Sequence, residues 1–426
     1  MRRFLLLVSL VPMADLARAQ PALHLTLAEA KRLAIQNNPQ FTRAALTASA
    51  AHQVPAQYRA SFEPSISGLL TGVGADDGSR LAAGTLSNPV IFHRVGSGLS
   101  LGQMITDFGR TTNLVQMSKL AADAQDQATE TTRAEILLDT GRAYFGLLRA
   151  EAVMKVADQT VAARQLVADQ VTALAQSSLK STLDVSFANV NLAEAKLLQV
   201  QAQNDVQAAD ANLATALGLP GESRFIVSDE PMPPPLADRV EGMIQQAIED
   251  RPELKDLRLR QSAADRFAKA EHDLYFPNIG VSGTAGFVPT GNSTIRSRYG
   301  AVGLNVTIPI FNGGLFKARQ AEAELKARAA TQNISDLQNR ITRDVRVAWL
   351  NATTAYDRLA LTQQLLDEAQ LALDLAQSRY DLGLGSIVEL SQAQLSLTSA
   401  QIANASARYD YQTERVITDY QVGALR

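Results

Sequence analysis

Few side chains in this sequence are placed for catalysis. The four histidines, His24, His52, His93 and His272, are isolated and lack the spacing of metal ligands. The absence of cysteine excludes thiolate metal sites, disulfides and cysteine nucleophiles. There is no phosphate-binding loop with its lysine. We therefore expect no enzyme activity, no metal and no cofactor.

The acidic residues that stand out are Asp184 and Glu389, because they occupy equivalent places in two similar halves of the chain. Each comes just after a predicted tight turn between two long helices. On residue type alone they are ordinary solvated acids near helix N-termini, where the helix dipole favours a negative charge. Their recurrence makes them candidates for a shared role.

The two halves indicate an internal duplication. Asn38-Pro39 and Arg251-Pro252 lie 213 positions apart, whereas Leu183-Asp184-Val185-Ser186 and Val388-Glu389-Leu390-Ser391 lie 205 apart. The drop in offset predicts a connection eight residues longer in the first copy, within residues 72–89.

Each copy is predicted to contain a helix, two strands, a very long helix, a tight turn and a second long helix. We expect a first repeat over residues 20–217, an irregular linker over 218–240 and a second repeat over 241–426. The expected strands are about 62–74, 95–106, 276–288 and 299–310, and the expected long helices are about 110–177, 183–217, 314–380 and 387–422.

Alternation with a period of two is clearest from Val302 to Ile310, where every even position is apolar and every odd one is small or polar. Such a strand has one wet face and one apolar face. The pattern fits a surface sheet on a soluble core. It fits equally well a membrane sheet with lipid on one side and water on the other.

The helices are too long for a globular core. A proline-free segment such as residues 110–177 spans roughly 100 Å at ~1.5 Å per residue. Val388, Leu395 and Ile402 recur every seven residues, which indicates coiled-coil packing.

The start of the chain predicts export. Arg2 and Arg3 precede the apolar run Phe4 to Pro12, and Ala17-Arg18-Ala19 resembles a cleavage site, so residues 1–19 are expected to be a signal peptide.

The formal net charge of -3 argues against nucleic acid as a partner. Since no apolar run of eighteen residues follows, any membrane-spanning part must be a β-barrel. Four strands cannot close a barrel, so several chains must contribute to one.

Several short stretches of the sequence match one known family: Leu25-Thr26-Leu27-Ala28-Glu29-Ala30, Asn37-Asn38-Pro39, Arg251-Pro252-Glu253-Leu254, Ile308-Pro309-Ile310-Phe311-Asn312-Gly313-Gly314, Tyr380 with Gly383, and Ile387-Val388-Glu389-Leu390. Through them the sequence resembles the TolC outer-membrane efflux family over essentially its whole mature length. The resemblance implies an α-helical protein with a membrane β-barrel, in which duplicated helix–β-hairpin–long helix pairs form a homotrimer. It further implies a twelve-stranded barrel in the outer membrane, surrounded by its lipid, continuing into an α-helical coiled-coil tunnel in the periplasm. A periplasmic adaptor protein and an inner-membrane pump are the implied partners, and the implied function is the exit duct of tripartite efflux or type I secretion.

The resemblance also assigns roles to residues. Asp184 and Glu389 face the narrow periplasmic entrance, where a trimer would bring six carboxylates into one ring. Asp169 and Tyr380 match two hydrogen-bonding positions of the family's gate, but the gate's arginine corresponds to Gly385, so the gate should be weaker or differently built. The adaptor-docking tips include Ser178, Leu179, Gly383, Leu384 and Gly385, and the strands join the helices directly at Asp107, Gly109, Asn312, Gly313 and Gly314.

The alternative is a periplasmic coiled-coil scaffold or adaptor that never enters the membrane. Adaptors have one helical hairpin followed by β-domains. Here the strands are nested inside a duplicated helical frame, which favours the channel.

Overall fold

The computed structural model describes residues 23–74, 94–219, 224–289 and 296–425. The predicted signal peptide, residues 1–19, and most of the longer connection expected within 72–89 lie outside these ranges. The described chain forms two compact units. One contains the residues up to Asn38 with Asp139–Pro235 and Thr354–Val416; the other contains Pro39–Leu138, Leu236–Thr353 and the residues from Ile417.

The first half of the chain begins with a capped helix. Thr26 and Glu29 form a reciprocal capping box, which fixes the start of the first helix. The whole first half consists of a short strand, three short helices, a β-hairpin and two long helices. In order they are β1 (Leu23–Leu25), α1 (Leu27–Asn37), α2 (Pro39–Ala51), α3 (Val54–Arg59), β2 (Ser65–Val73), β3 (Arg94–Thr106), α4 (Arg110–Gln176) and α5 (Thr182–Ala216).

The second half repeats this order, with two short helices before its hairpin where the first half has three, and with long helices of the same length. Its elements are β4 (Phe225–Val227), α6 (Glu241–Asp250), α7 (Pro252–His272), β5 (Asn278–Phe287), β6 (Arg298–Thr307), α8 (Leu315–Asp381) and α9 (Ile387–Gln421). Helices α4 and α8 both have 67 residues, and α5 and α9 both have 35. The equivalent glycines Gly218 and Gly423 follow α5 and α9 in the left-handed conformation that ends a helix. This equality is what a duplication produces.

Three local features differ from the sequence prediction. The single helix expected before the first hairpin is broken into α2 and α3, because Pro55 lacks the N–H that an uninterrupted helix needs. Strand β6 ends at Thr307 rather than about residue 310, since Pro309 has no N–H to donate. The linker expected to be irregular contains β4, which pairs in parallel with β1.

Strands β2, β3, β5 and β6 form one antiparallel sheet in the order β2-β3-β5-β6. The register aligns Val306 with Ile279 and Leu304 with Val281, so the apolar side chains of neighbouring strands share one face. Serine, glycine, threonine and asparagine make up most of the other face, which also carries Leu69, Met104 and Tyr299. On this face Asn305 Nδ2 donates to Ser282 Oγ at 2.9 Å. The sheet is open among the described strands, with β2 and β6 at its edges.

Among the described residues, nothing covers the apolar face of this sheet. Val302 is 84% exposed, Leu304 67% and Leu70 81%. A monomeric soluble protein rarely exposes such a continuous apolar surface. Among the described residues no helix combines the length and the hydropathy needed to cross a bilayer.

Each unit has its own core, built largely from alanine and branched residues. In the unit that contains the helix turns, Val171, Leu192, Tyr380 and Leu390 pack together. In the other, Leu254, Ile341 and Val345 are fully buried around Val240 and Val422. Small side chains on the helices permit this close approach.

Candidate functional site

The two predicted tips are turns of the same kind. After α4, Leu179 N donates to Leu174 O at 2.9 Å and Ser178 has a φ of 61°. After α8, Leu384 N donates to Arg379 O at 2.8 Å and Gly383 has a φ of 73°. Both are Schellman endings, in which one left-handed residue lets the next N–H reach back to the last helical carbonyls. The first copy places a serine where the second has glycine.

Asp184 caps the start of α5. Its Oδ2 accepts hydrogen bonds from the N–H and the hydroxyl of Ser181, each at 3.0 Å, and its own N–H donates to Ser181 Oγ at 3.2 Å. The side chain is half-buried. A capping box of this kind satisfies two helix-end donors and holds the carboxylate in one orientation.

Glu389, at the equivalent position on α9, is paired within its own chain. Arg379 Nε donates to Glu389 Oε1 at 3.0 Å, and Arg379 Nη2 donates to Leu384 O at 3.2 Å. A Cβ at Gly385 would lie only 3.2 Å from both Arg379 Cβ and Glu389 Oε2, so the turn closes best around a glycine. Arg379 therefore offsets part of the negative charge at this tip.

Tyr380 does not make the hydrogen bond to Asp169 that the resemblance implies. The Tyr380 hydroxyl is buried and has no hydrogen-bond partner among the described residues, whereas Asp169 Oδ1 accepts from Gln165 Nε2 at 2.9 Å. Burial, reinforced by Asp184, raises the pKa of the Tyr380 hydroxyl. In this single chain Asp169 is bonded along its own helix, and the Tyr380 hydroxyl is left unbonded among the described residues.

Lys180 makes the connection between the two tips instead. Its Nζ lies 3.6 Å from the centroid of the Tyr380 ring and 3.5 Å from the Tyr380 carbonyl oxygen. A cation over an aromatic face contributes about 0.5–2 kcal/mol, more when desolvated. Sequence reasoning missed both Lys180 and Arg379, and the only signal was their position near the tips.

A groove of about 900 Å³ lies between α4, α8 and α9 in the same unit. Arg164 lines it beside Asp374, Gln394 and Leu397, and is only 5% exposed. Desolvation lowers the pKa of Arg164 to about 10, so the side chain stays charged at neutral pH. The described residues offer it no hydrogen bond or ion pair, although Glu194 acts on it electrostatically.

The strand-to-helix junctions use left-handed residues in both copies. Asp107 accepts from Thr111 N at 2.7 Å and caps α4, while Gly109 has a φ of 119°. Gly313 and Gly314, which follow Asn312, have φ values of 64° and 84°. These residues redirect the chain from the sheet into the long helices.

One of the histidines is not isolated. His52 Nε2 lies 2.9 Å from Asp126 Oδ2, and Asp123 lies nearby on the same helix. The prediction that His52 is isolated is therefore wrong. The partners are more than seventy positions away in the sequence, so no local spacing could have indicated them.

Comparisons with known proteins agree with the geometry. A family model described as outer membrane efflux protein matches residues 31–219 and 243–416. The outer membrane protein TolC of Escherichia coli K12 is 25% identical over an alignment of 414 residues, which covers 91% of this chain and 80% of TolC. Outer membrane protein OprJ of Pseudomonas aeruginosa is 25% identical over 398 residues, covering 92% of this chain and 82% of OprJ. A crystal structure of a membrane protein from Pseudomonas aeruginosa superposes with a TM-score of 0.81 at 22% identity, covering 93% of each chain.

Proposed function

This chain belongs to the outer membrane efflux protein family and is an outer-membrane efflux channel, and we propose that three copies form one exit duct for a tripartite export machine. The observation that carries the proposal is the open four-stranded sheet, whose apolar face and two edges have no cover or partner strand among the described residues. Lipid is the natural cover for that face, and further copies are the natural partners for those edges.

The strands have the dimensions that the proposal needs. Strands β2 and β6 have nine and ten residues, close to the ~9–11 residues of a tilted transmembrane strand. Two copies would supply eight strands, whose interior is just filled by side chains, whereas three supply twelve and leave a water-filled lumen. The face of serine, glycine, threonine and asparagine would line that lumen.

At the periplasmic entrance we assign the acidic ring to Asp184 and Glu389. Both carboxylates are held in place, one by its capping box and the other by Arg379. Three copies would bring six carboxylates together and favour cations at the constriction. Lys180 and Arg379 reduce the net charge, so the ring attracts cations less strongly than six unpaired acids would.

The tips are the proposed docking surface for a periplasmic adaptor protein that links the duct to an inner-membrane pump. Leu179 and Leu384 are equivalent, both are more than two-thirds exposed, and each follows the left-handed residue of its turn. Two like apolar side chains in each copy would give a trimer six similar contact points for one partner.

Planar-bilayer recording tests the duct and its entrance together. The purified protein is expected to form cation-selective channels. Asp184→Asn combined with Glu389→Gln should lower that selectivity, because each amide removes a negative charge while keeping the size of the side chain and an oxygen that accepts hydrogen bonds. Asp205→Asn, an exposed acid on α5 bonded to Gln201, is the matched control and should leave selectivity unchanged.

Two results would contradict the proposal. Unchanged selectivity in the double variant would mean that the acids only cap their helices. A chain that fractionates with the periplasm and forms no channels would favour the alternative, a periplasmic scaffold.

A further inference from the structure

Three potential metal ligands from two separate elements converge on the surface of one unit. His52 follows the end of α2, whereas Asp123 and Asp126 are one turn apart on α4. His52 Nε2 and Asp126 Oδ2 are 2.9 Å apart, and one ligand atom from each of the three residues lies within 4.8 Å of the others. Residues at positions i and i+3 share a helix face, so both carboxylates point towards the imidazole.

The backbone around the cluster is anchored. Thr129 Oγ1 donates to Ala44 O at 3.3 Å, which ties α4 to α2. Ala48, one turn before His52, and Pro55, just after it, are buried. Histidine and aspartate have short side chains with two rotatable bonds each. The spacing of the donor atoms is therefore set mainly by the packing of α2 and α4.

The two carboxylates are poorly compensated. No lysine or arginine among the described residues lies within 4.0 Å of Asp123 or Asp126, and the ion pair of Asp126 is with His52. Two carboxylates this close repel each other, and a bound cation would relieve that repulsion.

We propose that His52, Asp123 and Asp126 bind one divalent transition-metal ion, of the class of Zn²⁺, Co²⁺ or Ni²⁺. An imidazole nitrogen with carboxylate oxygens suits these ions, whereas Mg²⁺ and Ca²⁺ take oxygen ligands. Two donors bonded at about 2.1 Å to one ion lie about 3.0 Å apart at a right angle and about 3.4 Å apart at a tetrahedral angle. The His52–Asp126 distance of 2.9 Å therefore fits octahedral angles directly and would lengthen slightly around a tetrahedral Zn²⁺. A small rotation of the Asp123 side chain completes the set, and water takes the remaining positions at this exposed site.

The ion would join the end of α2 to α4. Because the unfolded chain does not hold the three donors together, metal binding should stabilise the folded protein. The site uses none of the residues assigned to the entrance or the docking tips, so its test is independent of the proposed function.

Isothermal titration of the full protein, purified in detergent without a polyhistidine tag and freed of metal with a chelator, tests this inference. Zn²⁺ is expected to bind with one equivalent per chain, and Mg²⁺ to show no comparable binding. His52→Ala, Asp123→Asn and Asp126→Asn should each weaken Zn²⁺ binding by at least about tenfold, as loss of a ligand does.

His272→Ala is the matched control. His272 also lies beside one acid, with Nδ1 3.4 Å from Asp273 Oδ1, but it lacks a second carboxylate in the cluster. It should keep wild-type affinity. Circular dichroism checks that each variant retains its helices. If wild-type protein binds no Zn²⁺, or binds it equally well without His52, the inference is wrong and the cluster is a surface ion pair.

Discussion

Ser178 shows how the residue type can differ between the two copies while the backbone conformation of the turn stays the same. Its φ of 61° is left-handed, a conformation that costs an L-residue about 1–2 kcal/mol and costs glycine almost nothing. Gly383 occupies the equivalent place with nothing within 4 Å of a Cβ built on it. The two positions therefore differ in conformational cost rather than in packing.

We predict that Ser178→Gly stabilises the first tip by about 0.5–1 kcal/mol, since the relief of strain exceeds the added entropy of the unfolded chain. Hydrogen–deuterium exchange of peptides covering residues 174–184 should slow. The reciprocal change, Gly383→Ser, should speed exchange at the second tip. No change in either variant would contradict the assignment of strain to this angle.

Lys180 should hold the two tips together through the Tyr380 ring. Lys180→Met keeps most of the aliphatic side chain but removes the cation, so we expect resting conductance to rise in planar bilayers. Lys180→Arg, which keeps the charge and can stack on the ring, should stay near wild type. An interaction of about 0.5–2 kcal/mol shifts an equilibrium by only a few-fold to about thirtyfold, so opening should be partial. If Lys180→Met and Lys180→Arg have the same resting conductance, the charge of Lys180 has no role in gating.

Prediction of single residues succeeded only where the duplication supplied information. The equivalence of Asp184 and Glu389 followed from their offset, and both do start a helix. The pairs Lys180–Tyr380 and His52–Asp126 join residues far apart in the chain. Such contacts depend on how helices pack, which residue spacing does not encode.

At the scale of the helices, burial of the charged Arg164 side chain is the clearest feature that lowers the free energy of unfolding. The Arg164 guanidinium is buried and has no hydrogen bond or ion pair among the described residues, so the attraction of Glu194 offsets only part of its lost hydration. We predict that Arg164→Met, which keeps the side-chain length, stabilises the protein by about 1–3 kcal/mol, in line with other replacements of buried charge by apolar groups. Thermal unfolding followed by circular dichroism should then shift upward by about 2–4 °C per kcal/mol.

Arg149→Met is the control for that change. Arg149 is also on α4, but it is about half exposed and pairs with Asp410 at 3.5 Å. Exposed ion pairs contribute little, so its unfolding temperature should barely move. Destabilisation by Arg164→Met would show that the charge has a partner in the assembled protein.

The long helices were predictable because the sequence features that indicate them extend over many residues. Absence of proline and sustained helix formers place the ends of α4, α5, α8 and α9 within about two residues of the expected positions. Strands β1 and β4 have three residues each and lie some two hundred positions apart. A pairing that short has no periodicity to detect, so it was missed.

At the scale of the whole molecule, the direction of the edge strands constrains assembly. Neighbouring strands in the order β2-β3-β5-β6 are all antiparallel, so β2 and β6 run in opposite directions. When β6 of one copy lies beside β2 of the next, the contact is again antiparallel. Identical copies can therefore add head to tail until the sheet closes on itself, with no strand left unpaired in lipid.

We predict that paired cysteines on these edges link exactly three copies, and the native chain has no cysteine to interfere. Ser67 on β2 is combined in turn with Gly303, Asn305 or Thr307 on β6, each position changed to cysteine. Residues on the two edges of one sheet are three strand spacings apart, about 14 Å, too far for a disulfide within one chain. At least one pair should give dimer and trimer bands after oxidation, on a gel run in SDS without reductant. The single-cysteine variants should give no trimer. A ladder continuing beyond the trimer would indicate an open polymer, and monomers from every pair would mean that these edges do not meet.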